Sequence, residues 1–250
     1  MLFRIILLVL ALMIMLPSSG FAQPADDEFG KWPFPGSVDE LPETLRPGQA
    51  FNGYPNRQRA IDWMSIPFWL AGDWMSGDLR IMKSYDHVND KLQTIPTSTT
   101  APIADHFGDQ VDKQNTVWSC NITPFVSNMK LDNLMDSQLT IGMKLLEAND
   151  EGVALWQRVY HVLYYPNSQI HDSYTEERVT EFSPQGPGLI MAQCTSKFFD
   201  SMGEARTTTN SLRIMNQTKK FRPLGQRAGI NLPASLSEHL QATGRGELIP

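Results

Sequence analysis

The densest group of side chains with binding chemistry lies on one predicted β-hairpin. Its members are Trp156, Tyr160, His161, Tyr164 and Tyr174. Aromatic rings with indole, imidazole or hydroxyl tips can line an apolar cavity and orient a ligand through those tips. The same residue types also fill small protein cores, so the pattern leaves both interpretations open. We take these five as the candidate ligand-binding residues.

The sequence lacks the motifs of several enzyme classes. Its five histidines show no H-x-H, H-E-x-x-H or Cys/His zinc spacing. Neither a G-x-S-x-G nucleophile elbow nor a Walker loop occurs. Glu176 and Glu177 are neighbours on a predicted strand, so they point to opposite faces and do not converge as glycosidase carboxylates must. We therefore favour a binding function over an enzymatic one, and expect no metal and no cofactor.

The predicted hairpin can be registered. If Asn167-Ser168 is a two-residue loop, opposite-charge and aromatic partners face each other across the two strands, as sheets favour. His161 and His171 then lie on opposite faces, because side chains alternate along a strand. The pairs on this register are Trp156 with Val179, Arg158 with Glu177, Tyr160 with Thr175, His161 with Tyr174 and Tyr164 with His171.

The hairpin belongs to a long series of predicted strands separated by short turns. β-Branched and aromatic residues at this spacing predict a sandwich or an up-and-down barrel, antiparallel because crossover helices are missing. We expect an all-β, antiparallel, up-and-down barrel of about seven to nine strands. The predicted strands are Phe68–Met82, Thr116–Val126, Ser137–Glu147, Val153–Tyr165, Ile170–Phe182, Leu189–Phe199 and Arg206–Phe221.

The first of these strands carries a Gly-x-Trp motif, Gly72-Asp73-Trp74, within the stretch Pro67-Phe68-Trp69-Leu70-Ala71-Gly72-Asp73-Trp74. This resembles the opening strand of the lipocalin-like, or calycin, β-barrel superfamily, and is similar to exported lipocalin-like proteins of cyanobacteria and plastids. The resemblance covers roughly residues 67–222. It implies that Trp74 plugs one barrel end and that an Arg of the last strand covers its indole. Arg206 and Arg213 are the candidates, and we favour Arg213 because its neighbours are more typical of a strand. Gly72 is expected to leave room for close backbone approach.

The N-terminus is typical of a secretory signal peptide. Arg4 precedes an apolar run from Ile5 to Leu16, and Gly20 and Ala22 provide small residues before a cut at Gln23. The run is shorter than the ~20 residues that span a bilayer, although an uncleaved anchor helix is the alternative interpretation. We expect residues 1–22 to be removed and the protein to be exported to a periplasm, a lumen or the extracellular space, with no transmembrane segment in the mature chain.

The charge balance excludes one class of partner. The formal charge is −6, and removal of Arg4 with the signal peptide makes it −7. An acidic chain offers no electrostatic footprint for nucleic acid.

Two segments flank the predicted barrel domain, residues 61–224. Residues 23–60 are rich in Pro and Gly and predict an extended arm, with a short helix near residues 57–64. Trp32, Phe34 and Phe51 give this arm an aromatic character that disordered linkers lack. Residues 225–250 predict a short tail with one weak helix, Ser235–Ala242.

Cys120 and Cys194 are the two cysteines of the chain. In an exported protein an even number of cysteines predicts a disulfide. Two separate buried thiols are the alternative.

Together these features favour an exported, non-enzymatic protein that holds a small apolar or amphipathic ligand in its barrel. The alternative is an accessory or assembly factor that binds a protein partner through the barrel surface and the aromatic arm.

Overall fold

The computed structural model of the protein describes residues 31–94 and 97–250, without the side chains of residue 97 and of residues 99–101. The predicted signal peptide, residues 1–22, and the first part of the predicted arm, residues 23–30, lie outside this described part. The described residues form fourteen strands, one α-helix and three short 3-10 helices. The chain is therefore all-β, as the strand pattern predicts.

The strands are β1 Ala60–Ile66, β2 Gly72–Asp86, β3 Lys91–Gln93, β4 Thr97–Phe107, β5 Gln110–Val111, β6 Val117–Thr123, β7 Phe125–Leu131, β8 Leu134–Ala148, β9 Val153–Tyr164, β10 Ile170–Gly186, β11 Leu189–Phe199, β12 Ala205–Lys220, β13 Gln226–Arg227 and β14 Ile230–Asn231. The α-helix is α1, Leu232–Ala242, and the 3-10 helices are Glu43–Leu45, Phe68–Leu70 and Gly246–Leu248.

One large antiparallel sheet forms the body of the fold. Strands β7 to β12 pair in chain order, and β12 then pairs with β2, whose other edge carries β3 and β4. Pairing of the last long strand with the first is the arrangement of an up-and-down barrel, which confirms the predicted fold class. Within the described residues β4 does not pair with β7, so the sheet curls into a half-barrel.

The concave face of this sheet carries the main hydrophobic core. Trp74 is 2% exposed and clusters with Leu70, Phe107, Phe182 and Met215. The indole N–H of Trp74 donates a 2.7 Å hydrogen bond to the Leu70 carbonyl, so its polar atom is satisfied. Because Trp74 and Met215 come from paired ends of β2 and β12, this core fills one end of the half-barrel.

Gly72 occupies a position that other residues would strain. Its φ is +135°, and a Cβ there would lie 2.5 Å from the Lys219 carbonyl oxygen and 2.7 Å from Gln217 Nε2. Side chains with a Cβ rarely adopt this φ. The close backbone approach expected at this glycine is therefore present where β2 begins beside β12.

A second, small sheet and α1 form further layers of the fold. The small sheet has the order β1-β6-β5. Trp63 of β1 and Trp118 of β6 pack against α1 through Leu232, Leu236 and Leu240. The predicted helix near residues 57–64 is wrong, because residues 60–66 pair in register with β6.

The tail contains the helix expected there, with an earlier start. Asn231 caps α1 by accepting a 3.1 Å hydrogen bond from the backbone N–H of Ala234. The helix thus begins at Leu232 rather than Ser235.

The arm packs on the convex face of the large sheet. Leu41 and Leu45 are buried there with Leu139 and Tyr160. Backbone hydrogen bonds attach the arm at several points, for example from Gly48 N–H to the Ile170 carbonyl at 3.0 Å. Residues 34–250 form one compact unit.

The predicted hairpin register is correct over most of β9 and β10. Arg158 pairs with Glu177 and His161 with Tyr174. At the turn, however, Tyr164 pairs with Ile170 instead of His171, and the register shifts by one residue. The loop is longer than two residues, because the N–H of Tyr165 bonds to the carbonyl of Gln169.

The predicted disulfide is wrong in this structure, where Cys120 and Cys194 are free thiols, both buried. Their strands, β6 and β11, belong to different sheets. Cys120 packs with Trp63 and Trp118, whereas the Cys194 sulfur lies 3.4 Å from the Ser196 hydroxyl. The alternative of two separate buried thiols is the arrangement observed.

Candidate ligand cavity

A cavity of about 710 Å³ lies between the concave face of the large sheet and the small sheet. Its walls combine apolar side chains from many strands with a smaller number of polar and charged groups. Cavities of this size and composition are typical of small-molecule sites. The apolar lining includes Met64, Ile103, Phe107, Ile122, Phe125, Met129, Met143, Leu155 and Phe182, and the polar lining includes Asp105, Ser119, Asn121, Gln138, Gln157, Arg178, Thr180 and Arg213.

Two arginines on the large sheet face this cavity. Arg178 of β10 donates from Nε to Gln157 Oε1 at 2.8 Å, and its Nη1 lies 3.6 Å from Glu176 Oε2. Arg213 of β12 also lines the cavity, but its Nε is buried and has no hydrogen-bond partner. An unsatisfied buried donor of this kind typically costs 1–3 kcal/mol. Arg213 is therefore a place where the cavity wall lacks an acceptor.

Asp105 of β4 lines the same cavity. The hydrogen bonds and ion pairs of the described residues do not include Asp105. Burial raises the pKa of the Asp105 carboxyl, and the attraction of Arg213 and Arg178 opposes that rise without cancelling it. The cavity wall thus holds a carboxyl group whose neutral form is favoured relative to a solvated aspartate.

A buried chain of charged groups lies beside Arg178. His161 Nε2 is 3.0 Å from Glu176 Oε2, and His161 Nδ1 is 3.1 Å from Asp136 Oδ2. Burial lowers the pKa of His161, but the two carboxylates raise it by more. The Ser196 hydroxyl donates to Glu176 Oε1 at 2.6 Å, so the glutamate is held on both oxygens.

Glu176 is held in its charged form by this chain. Burial alone would raise its pKa, but Arg178, His161 and Ser196 together lower it to about 2. While His161 is protonated, the charges of His161 and Arg178 match those of Asp136 and Glu176, and these four groups are neutral as a whole.

A second polar network lies near the small sheet. His106 Nδ1 contacts Asp73 Oδ1 at 2.6 Å, and Arg227 Nη1 lies 3.0 Å from the fully buried Asp109. Asp109 also accepts from the backbone N–H of Cys120 at 2.7 Å. The hydrogen bond to Asp109 and, more weakly, the one to Asp73 raise the pKa of His106 against the effect of burial. These charges are paired, which distinguishes them from Asp105 and Arg213.

The predicted aromatic cluster is divided between the two faces of the sheet. Leu155 and Gln157 of β9 line the cavity, so Trp156, Tyr160 and Tyr164 project from the convex face. Trp156 donates from its indole N–H to Glu177. Tyr160 packs with the arm, and Tyr164 contacts Phe51 of the arm at 4.8 Å between ring centroids.

His161 and Tyr174 lie on the concave side and stack on each other. His161 is part of the buried chain beside Arg178, Tyr174 covers its ring, and the cavity lining includes neither residue. Tyr164 instead lines a second, open groove of about 490 Å³ on the convex side, with Phe51, Tyr54 and Arg57 of the arm.

Arg213 does not contact Trp74 in the way the resemblance implies. The cation–π contacts of the described residues do not include this pair. Arg213 instead lines the cavity next to Asp105, whose backbone pairs with Trp74. The sequence had singled out Arg213, but for a structural role.

Comparison of the chain with protein-family models, with curated proteins and with solved structures finds no match. No helix within residues 31–94 and 97–250 combines the length and the apolar character that crossing a membrane requires.

Proposed function

We propose that this chain is an exported, lipocalin-like binding protein that holds a small amphipathic molecule in its interior cavity. The observation that carries the proposal is the cavity of about 710 Å³, where apolar walls surround a few charged side chains. An apolar wall binds the greater part of a ligand by excluding water, and a few placed polar groups fix its orientation. The Gly-x-Trp resemblance and the predicted signal peptide support the same function.

The proposal is tested with a substitution that places a larger side chain inside the cavity. Thr180 lines the cavity on β10, and a phenyl ring at that position would occupy ligand space. Gln193, exposed on the neighbouring strand β11, provides a matched control. Binding of the neutral fluorescent probe N-phenyl-1-naphthylamine is measured by titration for the purified protein, Thr180→Phe and Gln193→Phe.

We expect saturable binding by the unsubstituted protein and by Gln193→Phe, and a loss of at least about tenfold in affinity for Thr180→Phe, since a few buried CH2 contacts exceed 1.4 kcal/mol. Melting curves establish first that both variants are folded. Failure of the unsubstituted protein to bind the probe or any co-purifying amphiphile would contradict the proposal. Equal affinity for all three proteins would place the bound probe elsewhere and contradict it too.

The second candidate function is that of an accessory factor, and the edge strand β7 favours it. All seven residues of β7 are exposed, including Phe125, Val126 and Met129. Its outer edge has no strand partner within the described residues. An open edge with apolar side chains can take up a strand from another protein.

Val126→Lys tests this candidate better than removal of the arm, because Leu41 and Leu45 of the arm are buried in the fold. A lysine on an edge strand opposes strand addition. If the protein acts as an accessory factor, a cross-linked partner seen with the unsubstituted protein should disappear in Val126→Lys while probe binding is unchanged. Retention of the partner by that variant would exclude β7 as the docking edge.

A further inference from the structure

Arg213 and Asp105 are the two charged residues of the cavity wall that no hydrogen bond or ion pair of the described residues satisfies. They are close enough to influence each other electrostatically, yet their charged atoms are not within the 4 Å of an ion pair. If both were ionised and facing each other, such a pair would be expected to close. Both side chains instead line the cavity.

The charges of the buried side chains indicate which kind of ligand group would bind beside Arg213 and Asp105. The chain of Asp136, His161, Glu176 and Arg178 is neutral as a whole while His161 is protonated. Burial raises the pKa of the Asp105 carboxyl and so favours its uncharged form. Wherever Asp105 is uncharged, the positive charge of Arg213 is left without a counter-charge in the cavity wall. A buried, unpaired charge is costly, and one anion would compensate it.

We propose that the occupant of the cavity is a monoanionic amphiphile, and that its carboxylate head lies between Arg213 and Asp105 while its apolar part lies along the Ile103, Leu155 and Phe182 wall. This rests on the proposed function and names the class of ligand. The Arg213 guanidinium, which has no hydrogen-bond or ion-pair partner among the described residues, donates to one carboxylate oxygen, and the protonated Asp105 carboxyl donates to another. Arg178 of β10, which also lines the cavity, adds attraction. Charge-assisted bonds of this kind are shorter and stronger than neutral ones.

The arrangement makes binding depend on pH in a defined sense. A bound anion beside Asp105 disfavours the ionised aspartate, so the complex takes up a proton wherever Asp105 is ionised in the free protein. Affinity for the carboxylate therefore rises as the pH falls, until Asp105 is protonated in the free protein as well. The charged and titratable groups that line the cavity together with Asp105 are Arg178 on β10, Arg213 on β12, Cys120 on β6, His106 on β4 and Arg227 on β13, and of these Arg213 and Arg178 act on the Asp105 carboxyl by charge.

The test compares three probes with the same chain and different heads. Dodecanoate, dodecanol and dodecylammonium are each added to the purified protein, where they compete with N-phenyl-1-naphthylamine for the cavity. The two ionic probes are kept below their critical micelle concentrations, and dodecanol is kept below its solubility limit. We expect dodecanoate to bind about 10- to 100-fold more tightly than dodecanol, the worth of charged hydrogen bonds, and dodecylammonium to bind most weakly. Equal binding of the acid and the alcohol would overturn the proposal and leave the binding function intact. Failure of all three probes and of the neutral dye would overturn both.

Two substitutions locate the head group. Arg213→Gln should lose the preference for dodecanoate and keep the affinity for dodecanol, whereas Lys220→Gln, which removes a charge from the exposed end of the same strand, should behave as the unsubstituted protein. Asp105→Asn should abolish the rise in dodecanoate affinity that the unsubstituted protein shows as the pH falls. An unchanged acid preference in Arg213→Gln, or an unchanged pH dependence in Asp105→Asn, would overturn the assignment. If Arg213→Gln does not fold, the probe comparison and Asp105→Asn still decide the matter.

Discussion

His161 and Tyr174 stack across β9 and β10, with ring centroids 4.5 Å apart and an angle of 13° between their planes. The stack holds the imidazole between Asp136 and Glu176, where each of its nitrogens meets a carboxylate. All three groups of this bridge are buried, with side chains no more than 7% exposed. The protonated imidazole is therefore the link that makes two buried negative charges tolerable in one region of the sheet.

His161→Gln should destabilise the protein by about 3–5 kcal/mol, because it leaves the buried Asp136 without a cation and Glu176 with Arg178 alone. The unsubstituted protein should lose stability as the pH rises through the raised pKa of His161, since a group with a raised pKa stabilises the fold only while it is protonated. Urea unfolding between pH 5 and pH 9 measures both effects. His171 is exposed, so the control variant His171→Gln should lose stability with rising pH as the unsubstituted protein does. The same loss of stability with rising pH in His161→Gln would contradict this account.

At acid pH the stability should depend on Glu176. Its pKa is lowered to about 2 in the folded protein, so its contribution is fully present above about pH 4.5 and is lost as the pH falls towards 2. Glu176→Gln should therefore flatten the acid limb of the stability profile. Urea midpoints between pH 2 and pH 5 test this, and an identical acid limb in the variant would disprove it.

Trp74→Ala should cost about 3–5 kcal/mol, the usual range for a large aromatic side chain removed from a core. Its indole is 2% exposed and donates to the Leu70 carbonyl. Phe68→Ala provides the control, because that ring is 73% exposed and should contribute within about 0.5 kcal/mol. Urea unfolding of both variants gives the comparison, and similar losses would show that Trp74 is not a core residue.

Gly72→Ala should destabilise the protein by at least about 1–3 kcal/mol, the cost of a strained backbone conformation, with the collision against the Lys219 carbonyl added to it. Gly77 lies on the same strand, and a Cβ there would meet nothing within 4 Å. Gly77→Ala should consequently be close to neutral. Thermal unfolding of the two variants measures the difference, and equal melting temperatures would be inconsistent with the geometry at Gly72.

Both cysteines should be free and protected. Burial raises the pKa of the Cys120 thiol to about 11, so the reactive thiolate is scarce at neutral pH. Iodoacetamide should leave the native protein unmodified and should modify two thiols per chain in denaturant without reductant. Intact mass measures the adducts, and a denatured protein that takes up label only after reduction would reveal the Cys120–Cys194 bond.

The large sheet could be predicted well from the sequence, because the pairing of neighbouring strands depends on residues that are close together along the chain. Strand alternation and the pair Arg158–Glu177 were enough to register β9 against β10, and only the bulge near His171 departed from it. The strand Ala60–Ile66 was missed, because its pairing partner β6 lies far along the chain and propensity does not report it. The disulfide prediction failed for a related reason: the number of cysteines does not indicate which sheet each one joins.

The candidate site was harder to predict, since alternation separates two faces without saying which one is concave. The aromatic residues Tyr160 and Tyr164 proved to lie under the arm, on the convex side. A signal for the cavity was nevertheless present. The same hairpin register places Gln157 opposite Arg178, on the face that also carries Leu155 and Phe182. Polar side chains placed among Leu155 and Phe182 on one strand face indicate a functional position better than a group of aromatic rings does.

Within the described residues, β4 and β7 are not paired, so one side of the cavity is not held together by backbone hydrogen bonds. Ile103 of β4 and Met129 of β7 both line the space, but no backbone ladder joins their strands within the described residues. Separating two paired strands would break hydrogen bonds worth about 1 kcal/mol each, whereas this side can widen by shifting side chains alone. The width of the cavity should therefore adapt to the size of the bound ligand. In a homologous series of carboxylic acids, the binding affinity should then change gradually with chain length and should not fall abruptly beyond one length.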